Sequence, residues 1–375
     1  MKKEIKELIE ISRFYGSDSR FVIAGGGNTS YKNAEKLWVK ASGSSLSTIT
    51  EEEFAVLDRA KLSLMSQKTY SNNPAEREEE VKNDLAEATI NKGKRPSVET
   101  SMHNVINYAF VVHLHPTIVN GLMCAQNAEG DLKKLFGNRA LYVEYTDPGY
   151  VLFKKVENSI IAYRTRYGEE PAVIWLQNHG IFVAGDTIEG VKALYAKILD
   201  TLSDNVILTL PAGVRATCPN TEIIIPGIRR ILYNGSPKWL KVRKNELIKF
   251  YYDSIGHQSK IAKPFTPDAI VYCKSNYIFL NDEGPEAVLA QAAGVIPSFI
   301  SNFGYQPKVL LIKEIGLVSV GDTEAQCDII LDVFEDAMKI AYLSESFGGA
   351  HPMTPSQIDF IDHWEVENYR RNVAG

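Results

Sequence analysis

The segment YAFVVHLHPTIVNGLM (108–123) sets His113 and His115 one residue apart in an apolar, β-prone run. Read as a strand, the run alternates its side chains between faces, so both imidazoles share one face and Leu114 takes the other. A third histidine, His179, stands in a tight Asn178-His179-Gly180 turn further along. One buried histidine is most simply a hydrogen-bonded core residue. Three in this pattern point to a metal: imidazole suits zinc and similar divalent cations, and three protein ligands with an open position describe a catalytic rather than a structural site. Glu99 lies at the start of a helical segment just before the histidine strand. It reads either as a first-turn carboxylate complementing the helix dipole or as a general base or labile fourth ligand beside the metal. His103 shares its helical face and reads as a packed surface histidine or as a support for the metal ligands.

Two glycine-containing loops, AGGGNTSYK and KASGSS (40–45), expose backbone N–H groups and short hydroxyl donors. Each is an ordinary turn taken singly; together they could cradle an anion. A dinucleotide site is rejected, because Ser30 stands where the fingerprint needs Gly or Ala and the next segment is strand-like, not helical.

These residues need elements to hold them. Residues 2–15 read as an amphipathic helix, followed by two short β-prone runs, a Thr50–Glu53 capping box, a helix over 74–93 that starts at Pro74, and a helix opening at Ser97. Beyond the histidine strand come a helix over 154–167, two strands broken at residues 178–180, and a long helix over 187–205. This alternation gives an α/β (α+β layered) domain over residues 1–205. Residues 206–262 read as a connecting region, and 263–375 as a degenerate repeat with a C-terminal helical tail. The repeat rests on PAVIWLQNHGIFVAGDT from Pro171 against PKVLLIKEIGLVSVGDT from Pro307, with Pro, Val, Gly and Gly-Asp-Thr in register. It predicts strands at 269–273 and 309–312 and a helix after Thr323. Ile315 then replaces His179, and Tyr272 and Lys274 replace His113 and His115, so the copy keeps the scaffold without the metal site.

The chain has 375 residues, 45% hydrophobic and 23% charged, with a net charge of −5. That balance argues against nucleic acid as a partner, and the basic stretch 229–244 reads as a solvated face. No apolar run reaches the ~18 residues of a membrane span. The dispersed Cys124, Cys218, Cys273 and Cys327, with no signal-peptide pattern, predict a reducing cytoplasm.

GGGNTS, KASG, PSVE…H, VVHLHP and NHGIFVAGDT follow one another in the order and spacing of the class II aldolase/adducin family, which residues 1 to about 205 resemble. YTDPGY and the C-terminal half resemble its long subgroup, similar to the aldolase part of bifunctional rhamnulose-1-phosphate aldolase/dehydrogenase proteins. The resemblance implies a central sheet flanked by helices and a homo-oligomer. It implies zinc, or another divalent metal, on His113, His115 and His179, with Glu99 as acid/base. It also implies a sugar phosphate bound at Asn28, Ser42, Gly43 and Ser97. The implied reaction is retro-aldol cleavage of a ketose 1-phosphate, rhamnulose 1-phosphate-like, to dihydroxyacetone phosphate and an aldehyde. Tyr150 is a candidate second proton carrier. Val98 departs from the family, whose aldolases often have a second hydroxyl there, and this opens the way to a differently phosphorylated or unphosphorylated substrate. Two other readings are a pentulose-phosphate 4-epimerase, against which Glu99 speaks because those enzymes tend to carry aspartate, and a non-catalytic adducin-like module.

Overall fold

The computed structural model describes residues 2–214 and 220–363. Cys218 and the tail beyond His363 lie outside the described residues. The chain divides into two compact units: residues up to Met123 with Asn127–Asn205, and Cys124–Gln126 with the chain from Val206 on. Among the described residues no helix is long and apolar enough to cross a membrane.

The first unit is a seven-stranded sheet flanked by helices. Its strands are β1 (Asn28–Lys32), β2 (Lys36–Lys40), β3 (Phe54–Asp58), β4 (Phe110–Leu114), β5 (Leu141–Val143), β6 (Val173–Leu176) and β7 (Gly180–Gly185), in the order β3-β2-β1-β4-β7-β6-β5. All neighbours are antiparallel except β5 and β6. β4 is central and all five of its residues are buried. A strand covered on both faces needs a continuous apolar run rather than alternation, and FVVHL supplies one. Met102, Val111, Phe153, Val156, Ile174 and Phe182 pack in one cluster, and Leu37, Val39, Leu57, Val81 and Leu85 in another.

The Thr50–Glu53 capping box forms. The helix from Pro74 starts as expected, with Asn73 accepting from Ala75 and Glu76, but it stops at Ala88 rather than near Gly93. Thr89 bridges to Leu57 and Ile90 donates to Val56, so pairing with β3 ends it. The helix expected from Ser97 runs only over Thr100–Val105, because the chain must straighten to enter β4.

The second unit has a four-stranded sheet: β8 (Trp239–Arg243), β9 (Ile278–Leu280), β10 (Val309–Ile312) and β11 (Gly316–Gly321), in the order β8-β11-β10-β9. Residues 206–262 are therefore not a mere connector, since they supply β8 and several helices. The β10–β11 hairpin reproduces β6–β7 in register: Ile312 faces Gly316 as Leu176 faces Gly180. β9 joins β10 in parallel as β5 joins β6. The preceding helices, Tyr150–Tyr167 and Pro285–Phe303, both end on left-handed glycines, Gly168 and Gly304. Asn178 (φ 54°) and Glu314 (φ 64°) take the same left-handed turn.

The expected strand at 269–273 is contradicted. Pro267–Cys273 is a helix, capped by Thr266 accepting from Ala269. Thr-Pro starts a helix, and AIVYC is apolar because this helix is buried all round, a case in which periodicity cannot separate helix from strand. The partner of β11 is β8, with Trp239 opposite Gly321 as Phe110 is opposite Gly185. Val242 and Lys244, not Tyr272 and Lys274, thus stand where His113 and His115 stand. Lys274 instead caps the helix at φ 63°, ψ −176°, matching Gly137 (φ 79°, ψ 176°) at the end of the helix Ala128–Phe136. That region is nearly glycine-only and costs another residue roughly 1–3 kcal/mol.

Lys32, at the end of β1, is 5% exposed and donates to the His103 carbonyl at 2.8 Å. Burial, with Arg59 nearby, pushes its pKa down to about 7. Unfolded lysine titrates near ~10.4, so between about pH 7 and 10 the unfolded chain holds the extra proton and stability rises with pH. From pH 7 to 9, denaturant titration should show wild type gaining up to about 2 kcal/mol relative to Lys32→Met. Equal gains would mean that the amine is not desolvated.

Candidate metal centre and active site

The strand registers assemble the site. β1 pairs with β4 so that Asn28 stands opposite His113, and β4 pairs with β7 so that His113 stands opposite Phe182. His115 falls just past β4 and His179 just before β7. The pair therefore does not share a strand face in the strict sense, since the strand ends between them, but the three rings still converge. The His113 ring centroid is 4.8 Å from that of His115 and 5.0 Å from that of His179, and the latter two are 5.0 Å apart. One ring nitrogen from each lies within 4.8 Å of the others.

The His113 Nδ1 is 3.1 Å from the Ile181 carbonyl, which can only accept, so Nδ1 carries the proton and Nε2 keeps its lone pair. Burial pushes the His113 pKa down to about 4, which keeps the ring neutral at neutral pH. The Asn120 amide holds the His179 carbonyl at 3.3 Å. The His115 Nε2 lies 3.0 Å from that of His113, and Glu99 Oε1 lies 3.1 Å from His113 Nε2 and 3.3 Å from His179 Nε2. Donors bound at about 2.0–2.1 Å to one tetrahedral zinc are about 3.3 Å apart. The three imidazoles, with the Glu99 carboxylate as a fourth donor, therefore fit a divalent cation.

Glu99 is the N-cap residue of Thr100–Val105, and its own N–H donates to Ser97 Oγ at 3.2 Å. Burial alone would raise its pKa, but the imidazoles of His113 and His179 outweigh burial and hold the carboxyl well below the usual range. The Asn28 side-chain amide donates to Glu99 Oε2 and, at 3.0 Å, to Ser97 Oγ. Asn28 Oδ1 is buried without a hydrogen-bond partner. The Ser42–Gly43 turn joins this group through the chain at 95–97: Ala41 bridges to Pro96, Ser42 N–H donates to the Arg95 carbonyl at 2.9 Å, and its hydroxyl to the Pro96 carbonyl at 3.3 Å. Asn28, Ser97 and Glu99 are thus in direct contact, with Ser42 and Gly43 one loop away.

Tyr150 is placed differently. Its hydroxyl donates to the Lys68 carbonyl at 3.4 Å and its ring meets Tyr70 edge-on. His103 is not a surface residue; it is fully buried, 2.7 Å from Ser30 Oγ, with its ring edge-on to Phe182. Phe182 also stacks on His113 at 4.1 Å and 21°. Sequence reasoning missed this support, although the period of two from Gly180 places Phe182 on one sheet face with it.

Gly180 lets β7 approach the end of β4. A Cβ there would lie 2.5 Å from the Leu114 carbonyl oxygen and 2.6 Å from His115 Cδ2. Gly180→Ala should therefore push His115 off the other two imidazoles and weaken divalent-metal affinity about 10–100-fold, the usual cost of disturbing ligand support. Zinc titration with a competing chelator checks this; unchanged affinity would remove His115 from the ligand set.

A curated relative from Bacillus subtilis, described as the uncharacterized oxidoreductase YuxG, is 25% identical over 418 residues, covering 100% of this chain and 59% of that protein. The chain thus spans under two thirds of that relative's length. The L-fuculose phosphate aldolase of Methanocaldococcus jannaschii is 25% identical over 216 residues, covering 55% of this chain and 94% of that protein. Among solved structures, the N-terminal class II aldolase domain of a Thermoplasma acidophilum protein matches 54% of this chain and 94% of its own, at 27% identity and a TM-score of 0.47. The family model for the class II aldolase and adducin N-terminal domain matches residues 6–201, and the chain belongs to that family.

Proposed function

We propose that the first unit is a metal-dependent aldolase that cleaves a ketose 1-phosphate, rhamnulose 1-phosphate-like, into dihydroxyacetone phosphate and an aldehyde. The observation that carries this reading is the buried Glu99 carboxylate, 3.1 Å and 3.3 Å from the Nε2 atoms of His113 and His179. His113, His115 and His179 would hold the cation, zinc by ligand type. Bound there, it would supply a Lewis acid for negative charge on the substrate oxygens.

The chain's own part is proton handling and positioning. As the carbon–carbon bond breaks, the substrate hydroxyl becomes the aldehyde carbonyl and gives its proton to the ionised Glu99. The bonding pair stays on the carbon beside the ketone as an enediolate, and Glu99 then returns the proton to that carbon. The Asn28 amide orients Glu99 through Oε2 and offers its unpartnered Oδ1 to a substrate hydroxyl. Ser42, Gly43 and Ser97 line the anion side. Tyr150 is given no part in this scheme; its hydroxyl donates to the Lys68 carbonyl at 3.4 Å.

Glu99→Gln keeps the size and removes the base. Turnover should fall roughly 10²–10⁴-fold with metal content retained, measured as dihydroxyacetone phosphate release across a panel of ketose 1-phosphates. A variant that keeps zinc and wild-type cleavage would reduce Glu99 to a helix-dipole carboxylate. Recovery of an epimerised pentulose phosphate with no aldehyde would favour the epimerase reading.

A further inference from the structure

The second unit keeps the scaffold and lacks the histidines, yet at the opposite end of its hairpin from the lost metal site it has gained cations. A pocket of about 210 Å³ opens there, lined by Lys238, Lys274 and Lys308 with Tyr305, Gln306 and Asn234. The three lysines come from separate places: the approach to β8, the cap of Pro267–Cys273, and the approach to β10. Their side chains are only 16%, 18% and 26% exposed, where lysine is ordinarily solvated.

Register with the first unit shows what changed. Gly168 and Gly304 match, as do Gly185 and Gly321, so Tyr305, Gln306 and Lys308 stand where the first unit has Glu169, Glu170 and Ala172. Lys274 stands where it has Gly137. Lys238 stands where it has Ala109, so two acids are gone and three cations have appeared around one pocket. Lys274 also holds a backbone conformation that suits glycine, the residue at the matching place in the first unit. Its ammonium lies 5.0 Å from the Tyr305 ring centroid and 3.3 Å from Asp362. Asp322 lies 2.5 Å from Lys238 and 3.9 Å from Lys308. Among the described residues, two carboxylates face the three ammoniums. The Tyr305 hydroxyl accepts from the Asn276 amide at 2.9 Å, so its own proton can point elsewhere.

We propose that this pocket is a binding site for a phosphomonoester dianion, with Lys274 and Lys308 as its point-charge ligands and Tyr305 as a further donor. The proposal is independent of the aldolase reading, because every residue in it belongs to the second unit.

Equilibrium dialysis of the full chain with inorganic phosphate, and separately with glycerol 2-phosphate, tests it. Wild type should take up one more phosphate per chain than Lys274→Gly/Lys308→Ala, and each lysine lost should weaken that site about tenfold or more. Uptake of both probes assigns the site to phosphate as such; uptake of the ester alone assigns it to a phosphorylated small molecule. Lys274→Gly alone restores the glycine of the first unit, so it should fold and melt at or above the wild-type temperature, and a lost site then reports the ligand rather than the fold. Equal phosphate stoichiometry and affinity in wild type and the double variant, or no uptake by wild type, would overturn the proposal.

Discussion

The first unit is organised around the burial of one carboxylate. Taking an ion of this kind out of water costs several kcal/mol unless its lone pairs are satisfied. At Glu99 the Asn28 amide from β1 meets Oε2, while Oε1 and the Nε2 atoms of His113 from β4 and His179 from the turn before β7 face one position that fits a cation. None of these can shift by a residue without reversing which face its side chains take. The antiparallel registers of the sheet centre and the geometry of the site are therefore one constraint, and the apolar cover on β4 serves the chemistry as much as the fold.

Much of this was legible in the residues. His113, His115, His179 and Glu99 lie together in space, and their types alone singled them out, because few side chains can bind a metal. The short helix after Ser97 was less legible: its length depends on where β4 must begin, which is a property of the sheet and not of SVETSMHNV. His103 was misjudged as a surface residue, whereas its neighbours in space are Ser30 and Phe182. Phe182 stacks on His113 through a strand pairing that no local pattern announces.

The two hairpins correspond at their turns, while the apolar run expected as a strand at 269–273 is a helix. Gly304, Gly316 and Gly321 fix the hairpin and its entry, because few residues fit such places. The run AIVYC has no such marker, and a fully buried helix is composed like a buried strand. The strand that does replace β4 lay hidden in a basic stretch, where Lys241 and Arg243 pair with Asp328, Asp332 and Glu335. Its charge is compensated by the helix Glu324–Ser344 rather than by solvent alone.

The two hairpins also separate architecture from function at one residue. Left-handed backbone beside a candidate metal ligand invites the view that strain is stored for catalysis. Asn178 has that backbone, and so does Glu314 in a hairpin with isoleucine in the histidine's place. The turn is what a strand pair with this spacing requires, whether or not it presents a ligand. A ligand at His179 would therefore draw on a backbone conformation that this strand pair takes with either residue in place.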